Sequence, residues 1–165
     1  THIPISSVSK KLNTKMIIEK INILNNELIN IYKIKNPKIY ISGLNPHSGD
    51  GGKIGKEELT QIYPAIRKLE NLGLNVKGPF PGDTLFQKKK VKEYDVAVCM
   101  YHDQALIPIK TLYSGNIINI TLGLDFIRTS PDHGTALDIA GKKIADPNSL
   151  ILAIKNKSKI LWFVC

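Results

Sequence analysis

The run Asp95-Val96-Ala97-Val98-Cys99-Met100 limits the possible folds more than any other stretch of this chain. From Val96 onward it is continuously apolar, which predicts a strand buried on both faces, as in a parallel or mixed sheet. The surrounding segments fit that reading. Ile17, Ile21, Leu24, Leu28 and Ile31 recur at three- and four-residue steps and predict an amphipathic helix from about Thr14 to Tyr32. Asn36-Pro37 breaks it, and Lys38 to Ser42 reads as a strand. Leu59, Ile62, Ile66 and Leu69 form the stripe of a second helix, bent or irregular at Pro64 and stopped by Gly73. Ile117 to Leu122 reads as another strand, and Ser149 to Val164 as a closing helix. The expectation is an α/β fold, with a mixed or parallel sheet and helices on both faces.

A chain of 165 residues, 42% hydrophobic, is long enough for one cored domain and short for two, so residues 1–165 are read as a single domain-like unit. The formal charge of +9 raises nucleic acid or an anionic membrane as a partner. The detail argues against both. Only Arg67 and Arg128 among the 23 basic residues are arginine, the side chain that phosphate and base-edge readers favour. The dense run Lys88-Lys89-Lys90 with Lys92 has no interleaved aromatics and reads as solvated surface. Cys99 and Cys165 make no CxxC pair, so no disulfide framework or zinc ribbon is indicated. No apolar run approaches a membrane span and no signal-peptide pattern opens the chain, although it begins at Thr1. A cytoplasmic location is the expectation.

The four histidines carry the chemistry. His47, His102 and His133 lie in runs of small and polar residues, and His2 stands near the start. Imidazole is a common transition-metal ligand and titrates near neutral pH. The spacing is too wide for a zinc finger. Asn45-Pro46-His47-Ser48-Gly49-Asp50-Gly51-Gly52 joins a rigid turn to an imidazole and to glycines that let backbone amides approach a ligand. In Gly78-Pro79-Phe80-Pro81-Gly82-Asp83-Thr84, Asp83 either caps a helix beginning at Thr84 or serves a metal or substrate. Met100-Tyr101-His102-Asp103-Gln104 places a carboxylate where it can orient a metal-binding imidazole. Lys110 follows about two helical turns after His102 and is otherwise an ordinary surface lysine. Arg128 sits in Leu124-Asp125-Phe126-Ile127-Arg128, a context favouring a paired or anion-binding guanidinium. These residues fall just beyond the predicted strand ends, where open α/β sheets bind ligands.

Taken in order, five motifs are recognisable: Gly43-Leu-Asn-Pro-His-Ser-Gly-Asp-Gly-Gly, the Gly-Pro-Phe-Pro-Gly-Asp-Thr-Leu-Phe turn, Met-Tyr-His-Asp-Gln, Asn119-Ile-Thr-Leu-Gly-Leu with Ile-Arg-Thr-Ser, and Asp-His-Gly-Thr-Ala-Leu-Asp-Ile-Ala-Gly. From Thr1 to about Ser149 the chain closely resembles the C-terminal half of the 4-hydroxythreonine-4-phosphate dehydrogenase family. The resemblance implies one lobe of a two-lobed fold like that of isocitrate and isopropylmalate dehydrogenases. It also implies NAD- or NADP-linked oxidation of 4-phosphohydroxy-L-threonine to a 3-oxo acid. That product decarboxylates to 3-amino-2-oxopropyl phosphate, in pyridoxal 5'-phosphate biosynthesis.

By position, the resemblance makes His2, His47 and His102 ligands of one divalent metal (zinc, magnesium or cobalt). It makes Lys110, Asn119 and Arg128 substrate-binding residues and puts Asp83 near the metal, leaving Asp83 and Lys110 as catalytic candidates. The segment His133 to Asp146 is similar to the loop bordering the dinucleotide's adenosine. The implied assembly is a homodimer with shared active sites. Ala105 and Lys53 depart from the family's usual Gly and His, the terminal Lys159 to Cys165 is atypical, and the family's N-terminal half is absent from the sequence. The alternatives are a dehydrogenase of a phosphorylated four-carbon sugar acid, an inactive truncated remnant, or a basic RNA-binding piece.

Overall fold

A computed structural model of the chain describes residues 2–113, 116–155 and 162–164. Its helices are α1 (Val8–Lys11), α2 (Thr14–Asn30), α3 (Tyr63–Asn71), α4 (Gly82–Leu85), α5 (His102–Tyr113) and α6 (Asn148–Lys155). Its strands are β1 (Ile39–Ser42), β2 (Val76–Phe80), β3 (Val96–Val98), β4 (Ile118–Thr121), β5 (Arg128–Pro131) and β6 (Trp162–Val164). The chain forms two compact units, Thr1–Pro108 with Leu161–Cys165, and Ile109–Ile160.

The first unit is built on a four-stranded parallel sheet in the order β2-β1-β3-β6. Ile39 pairs with Val76 on one side and Val96 on the other, and all of β1 and β3 is buried. The apolar run at Val96 thus lies in the interior of a parallel sheet, as its composition requires. Helix α2 starts at Asn13, whose side chain accepts the Met16 N–H at 2.9 Å, and buries Ile17, Ile21, Leu24 and Leu28. Ile31, assigned to the same stripe from sequence, lies past the helix end and is exposed.

A π-helical turn, Glu58–Ile62, runs directly into α3. Pro64 has no N–H with which to continue an α-helical ladder, and the irregularity expected there takes this form. The wider turn rotates the face by one residue. Leu59, expected on the core stripe, is 48% exposed, while Glu58 is 1% exposed and Ile62, Ile66 and Leu69 are buried. Gly73, at φ +85°, ends α3 in a conformation costly for other residues, and the Leu74 N–H donates back to Leu69.

Two sequence expectations need correction. The closing helix is described over Asn148–Lys155, residues 156–161 lie outside the described residues, and Trp162–Val164 forms β6, paired with β3, where a helix was expected. Aromatic and β-branched residues favour a strand where an open sheet edge is available. The lysine run is not uniformly solvated either. Lys90 lies over the stacked rings of Tyr40 and Phe80, 5.3 and 4.7 Å from their centroids, and pairs with Glu93 at 2.8 Å. Those aromatics come from β1 and β2, distant in sequence. The shared hydrogen bond raises the Lys90 ammonium and lowers the Glu93 carboxyl from their ordinary pKa values.

In the second unit β4 and β5 form an antiparallel pair, with Asn119 opposite Ser130 and Thr121 opposite Arg128. Helix α6 is tied to them through side chains. Thr129 Oγ1 donates to the Ala153 carbonyl at 2.8 Å, and Ser149 Oγ donates to the Ile117 carbonyl while accepting the Asp132 N–H. Among the described residues no helix is long and apolar enough to cross a membrane.

Candidate functional site

Because β1, β2 and β3 are parallel, the loops that leave their carboxyl ends emerge along one edge of the sheet. Those loops carry His47, Asp83 and His102. Gln104 on α5 ties two of them together: its Nε2 donates to the Gly43 carbonyl at 2.8 Å, and its Oε1 accepts the Met100 N–H at 2.7 Å. Ser48 Oγ donates to the Pro79 carbonyl at 3.2 Å, joining the His47 loop to the end of β2, just ahead of the third loop.

Among the described residues, the His47 loop has the longest run of left-handed backbone. Five successive residues adopt left-handed angles, with φ of 52° at His47, 51° at Ser48, 81° at Gly49, 43° at Asp50 and 64° at Gly51. For the three with side chains this conformation costs about 1–2 kcal/mol each. Glu58 supplies compensation. Its Oε1 accepts the backbone N–H groups of Leu44 and Asn45 at 2.8 and 2.7 Å, and its Oε2 accepts Asn45 Nδ2 at 2.9 Å. Hydrogen bonds to a carboxylate contribute about 1.5–3 kcal/mol each, which is of the size needed. Gly49 is required for the fit, since a Cβ there would lie 2.6 Å from Glu58 Oε2. Asn45 Nδ2 also donates to Glu57 at 2.9 Å, and this hydrogen bond holds the Glu57 carboxyl below its ordinary pKa. The sequence reading missed Glu58. Its signal was an acidic residue at the start of an irregular helical stretch, six residues ahead of Pro64.

His102 opens α5, and its Nδ1 lies 2.9 Å from Asp103 Oδ1, the carboxylate–imidazole contact expected from their adjacency. An imidazole that donates Nδ1–H to a carboxylate keeps Nε2 as the lone-pair donor for a metal. The His2 ring lies beside it, with ring centroids 4.8 Å apart. These two groups suit a borderline transition-metal ion. His47 does not complete the set within this chain: among the described residues, no three His, Cys, Asp or Glu side chains group closely enough to hold a metal. Asp83 lies in the first turn of α4, exposed, where Pro81 occupies the N-cap, so it does not cap that helix.

In the second unit Lys110 Nζ pairs with Asp132 Oδ2 at 3.1 Å, so it is engaged rather than an ordinary surface lysine. Arg128 Nη1 donates to Thr121 Oγ1 at 2.7 Å across the β4–β5 pair, leaving the exposed guanidinium further donors. Asn119 is exposed on β4. His133 Nδ1 lies 3.1 Å from the Gly134 carbonyl, and Asp146 Oδ1 accepts the Asn148 N–H at 2.9 Å, fixing the start of α6.

Comparison with known proteins defines the class first. Over 94% of its length the chain superposes on 46% of the crystal structure of a 4-hydroxythreonine-4-phosphate dehydrogenase from Klebsiella pneumoniae, with a TM-score of 0.84 and 39% identity. The architecture is therefore that of the isocitrate/isopropylmalate dehydrogenase-like α/β proteins. Residues 1–156 match the family described as pyridoxal phosphate biosynthetic protein PdxA, and the chain belongs to that family. A Bradyrhizobium diazoefficiens protein named 4-hydroxythreonine-4-phosphate dehydrogenase is 48% identical over 96% of this chain and 46% of its own length. A Roseobacter denitrificans protein of the same name is 51% identical over 93% of this chain and 47% of its own. The chain spans about half the length of the curated relatives it matches.

Proposed function

We propose that this chain forms one half of a metal-dependent, NAD(P)-linked 4-hydroxythreonine-4-phosphate dehydrogenase that works in pyridoxal 5'-phosphate biosynthesis in the cytoplasm. The reaction is oxidation of 4-phosphohydroxy-L-threonine to a 3-oxo acid, which decarboxylates to 3-amino-2-oxopropyl phosphate. The observation that carries the reading is the juxtaposition of His2 and His102, with Asp103 on His102 Nδ1. When bound, a divalent metal polarises the substrate hydroxyl and then the ketone, and NAD(P)+ accepts the hydride.

The chain's own residues supply orientation and charge. Asp103 lies against His102 Nδ1, so that Nε2 would be the nitrogen free to hold a metal. His2, His47 and His102 are the ligand set, and the family's homodimer accounts for a set that one chain does not assemble: the second copy completes it. Lys110, Asn119 and Arg128 recognise the substrate's anionic and polar groups, with Lys110 held by Asp132 and Arg128 by Thr121. Asp83 and Lys110 are the candidates for moving the hydroxyl proton. His133 and Asp146 lie on the segment that borders the dinucleotide.

Zinc or Co2+ titration of the purified chain, with light scattering to establish its assembly, tests this reading. We expect one ion per chain in a dimer, and about 10-fold or greater loss of affinity in His102→Ala and in His47→Ala. Metal uptake that neither substitution changes would overturn it.

A further inference from the structure

We infer that Glu58 is the positioning residue for His47, setting the site's affinity for its metal by holding the left-handed loop in one conformation. The inference rests on the proposed metal role of His47. Glu58 is 1% exposed, yet its side-chain hydrogen bonds go to the loop that leaves β1. One oxygen takes two consecutive backbone N–H groups, Leu44 and Asn45, immediately before Pro46-His47, and the other takes the Asn45 side chain. The loop also closes around this carboxylate. A Cβ at Gly43 would stand 3.1 Å from Glu58 Oε1, and one at Gly49 would stand 2.6 Å from Oε2. Glu58 therefore touches the loop on both sides of His47 in sequence. Within the π-helical turn before Pro64, residue 58 faces inward while Leu59 is half exposed.

Left-handed backbone at histidine, serine and aspartate does not persist without outside support. Without Glu58 the loop relaxes toward ordinary angles, and the imidazole moves with it. A ligand displaced from its productive geometry weakens the metal, and partners that orient ligands typically alter affinity by about 10–100-fold.

Three variants of the chain decide the matter: Glu58→Ala, Glu58→Gln and Leu28→Ala. The last removes a buried side chain of α2 and serves as a control for lost stability alone. Two readouts are taken, hydrogen exchange of the Leu44 and Asn45 amides without metal, and Co2+ affinity. In Glu58→Ala both amides lose protection relative to Ile41, and Co2+ binding weakens about 10-fold or more. Glu58→Gln, which retains an acceptor at the Oε1 position, restores most of both. Leu28→Ala lowers Tm but leaves Co2+ affinity within about threefold, far below the cost of a lost ligand-orienting partner. The inference is overturned if the amides stay protected in Glu58→Ala, or if Leu28→Ala weakens Co2+ equally. Failure of the unsubstituted chain to bind Co2+ would instead sink the metal reading and, with it, the inferred effect on affinity. The amide exchange would then still judge Glu58 as the support of the loop.

Discussion

Gln104 satisfies two backbone groups from different loops with the two ends of one amide. Few other residues can do this, because the Gly43 carbonyl needs a donor and the Met100 N–H needs an acceptor. Removing the amide leaves both groups unsatisfied in a part-buried site, at about 1–3 kcal/mol. Gln104→Ala should therefore lower the urea midpoint by that equivalent. Gln104→Glu should do no better, since it keeps the acceptor but sets an oxygen against the Gly43 carbonyl. Equal midpoints for the two variants and the parent chain would refute the bridge. The Gln104 role was not legible in the sequence, because its partners lie 61 residues upstream and 4 residues upstream on separate loops. The His102–Asp103 contact was legible, because adjacency alone puts the groups within reach.

At the level of elements, the sheet was readable wherever the hydrophobic pattern was strong. The apolar run at Val96 and the stripe from Ile17 to Leu28 fell where their periodicities put them. Reading failed where tertiary context overrode local pattern. Trp162 to Val164 joined an open sheet edge, Lys90 found aromatics supplied by two other segments, and Pro64 changed the helical period ahead of it. The altered period has a measurable consequence. Ile62 is fully buried and Leu59 is half exposed, so Ile62→Ala should cost about 2–5 kcal/mol, as large-to-small core substitutions do. Leu59→Ser should stay within about 0.5 kcal/mol, the range of ordinary surface changes. A regular α-helical stripe would make both substitutions severe, and thermal denaturation separates the two cases.

For the whole molecule, the decisive quantity is how much of the catalytic arrangement half a family sequence can supply. The chain spans about half of its relatives, and within it the candidate metal ligands fall in one compact unit and the candidate substrate cations in another. Holding hydroxyl, metal and nicotinamide in register can account for roughly 7–11 kcal/mol of a barrier. A two-lobed dehydrogenase builds that register from both lobes. The 165-residue chain by itself should accordingly bind metal but show negligible NAD(P)+-dependent oxidation of 4-phosphohydroxy-L-threonine. Joined to the N-terminal half of a family member, it should turn over, and Arg128→Ala should then reduce kcat/KM by removing a cation from the substrate's anionic group. Stopped-flow absorbance of the reduced nicotinamide measures both. Robust turnover by the chain alone would show that this half of a family sequence suffices to hold the dinucleotide, and silence from the joined protein would count against the proposed substrate.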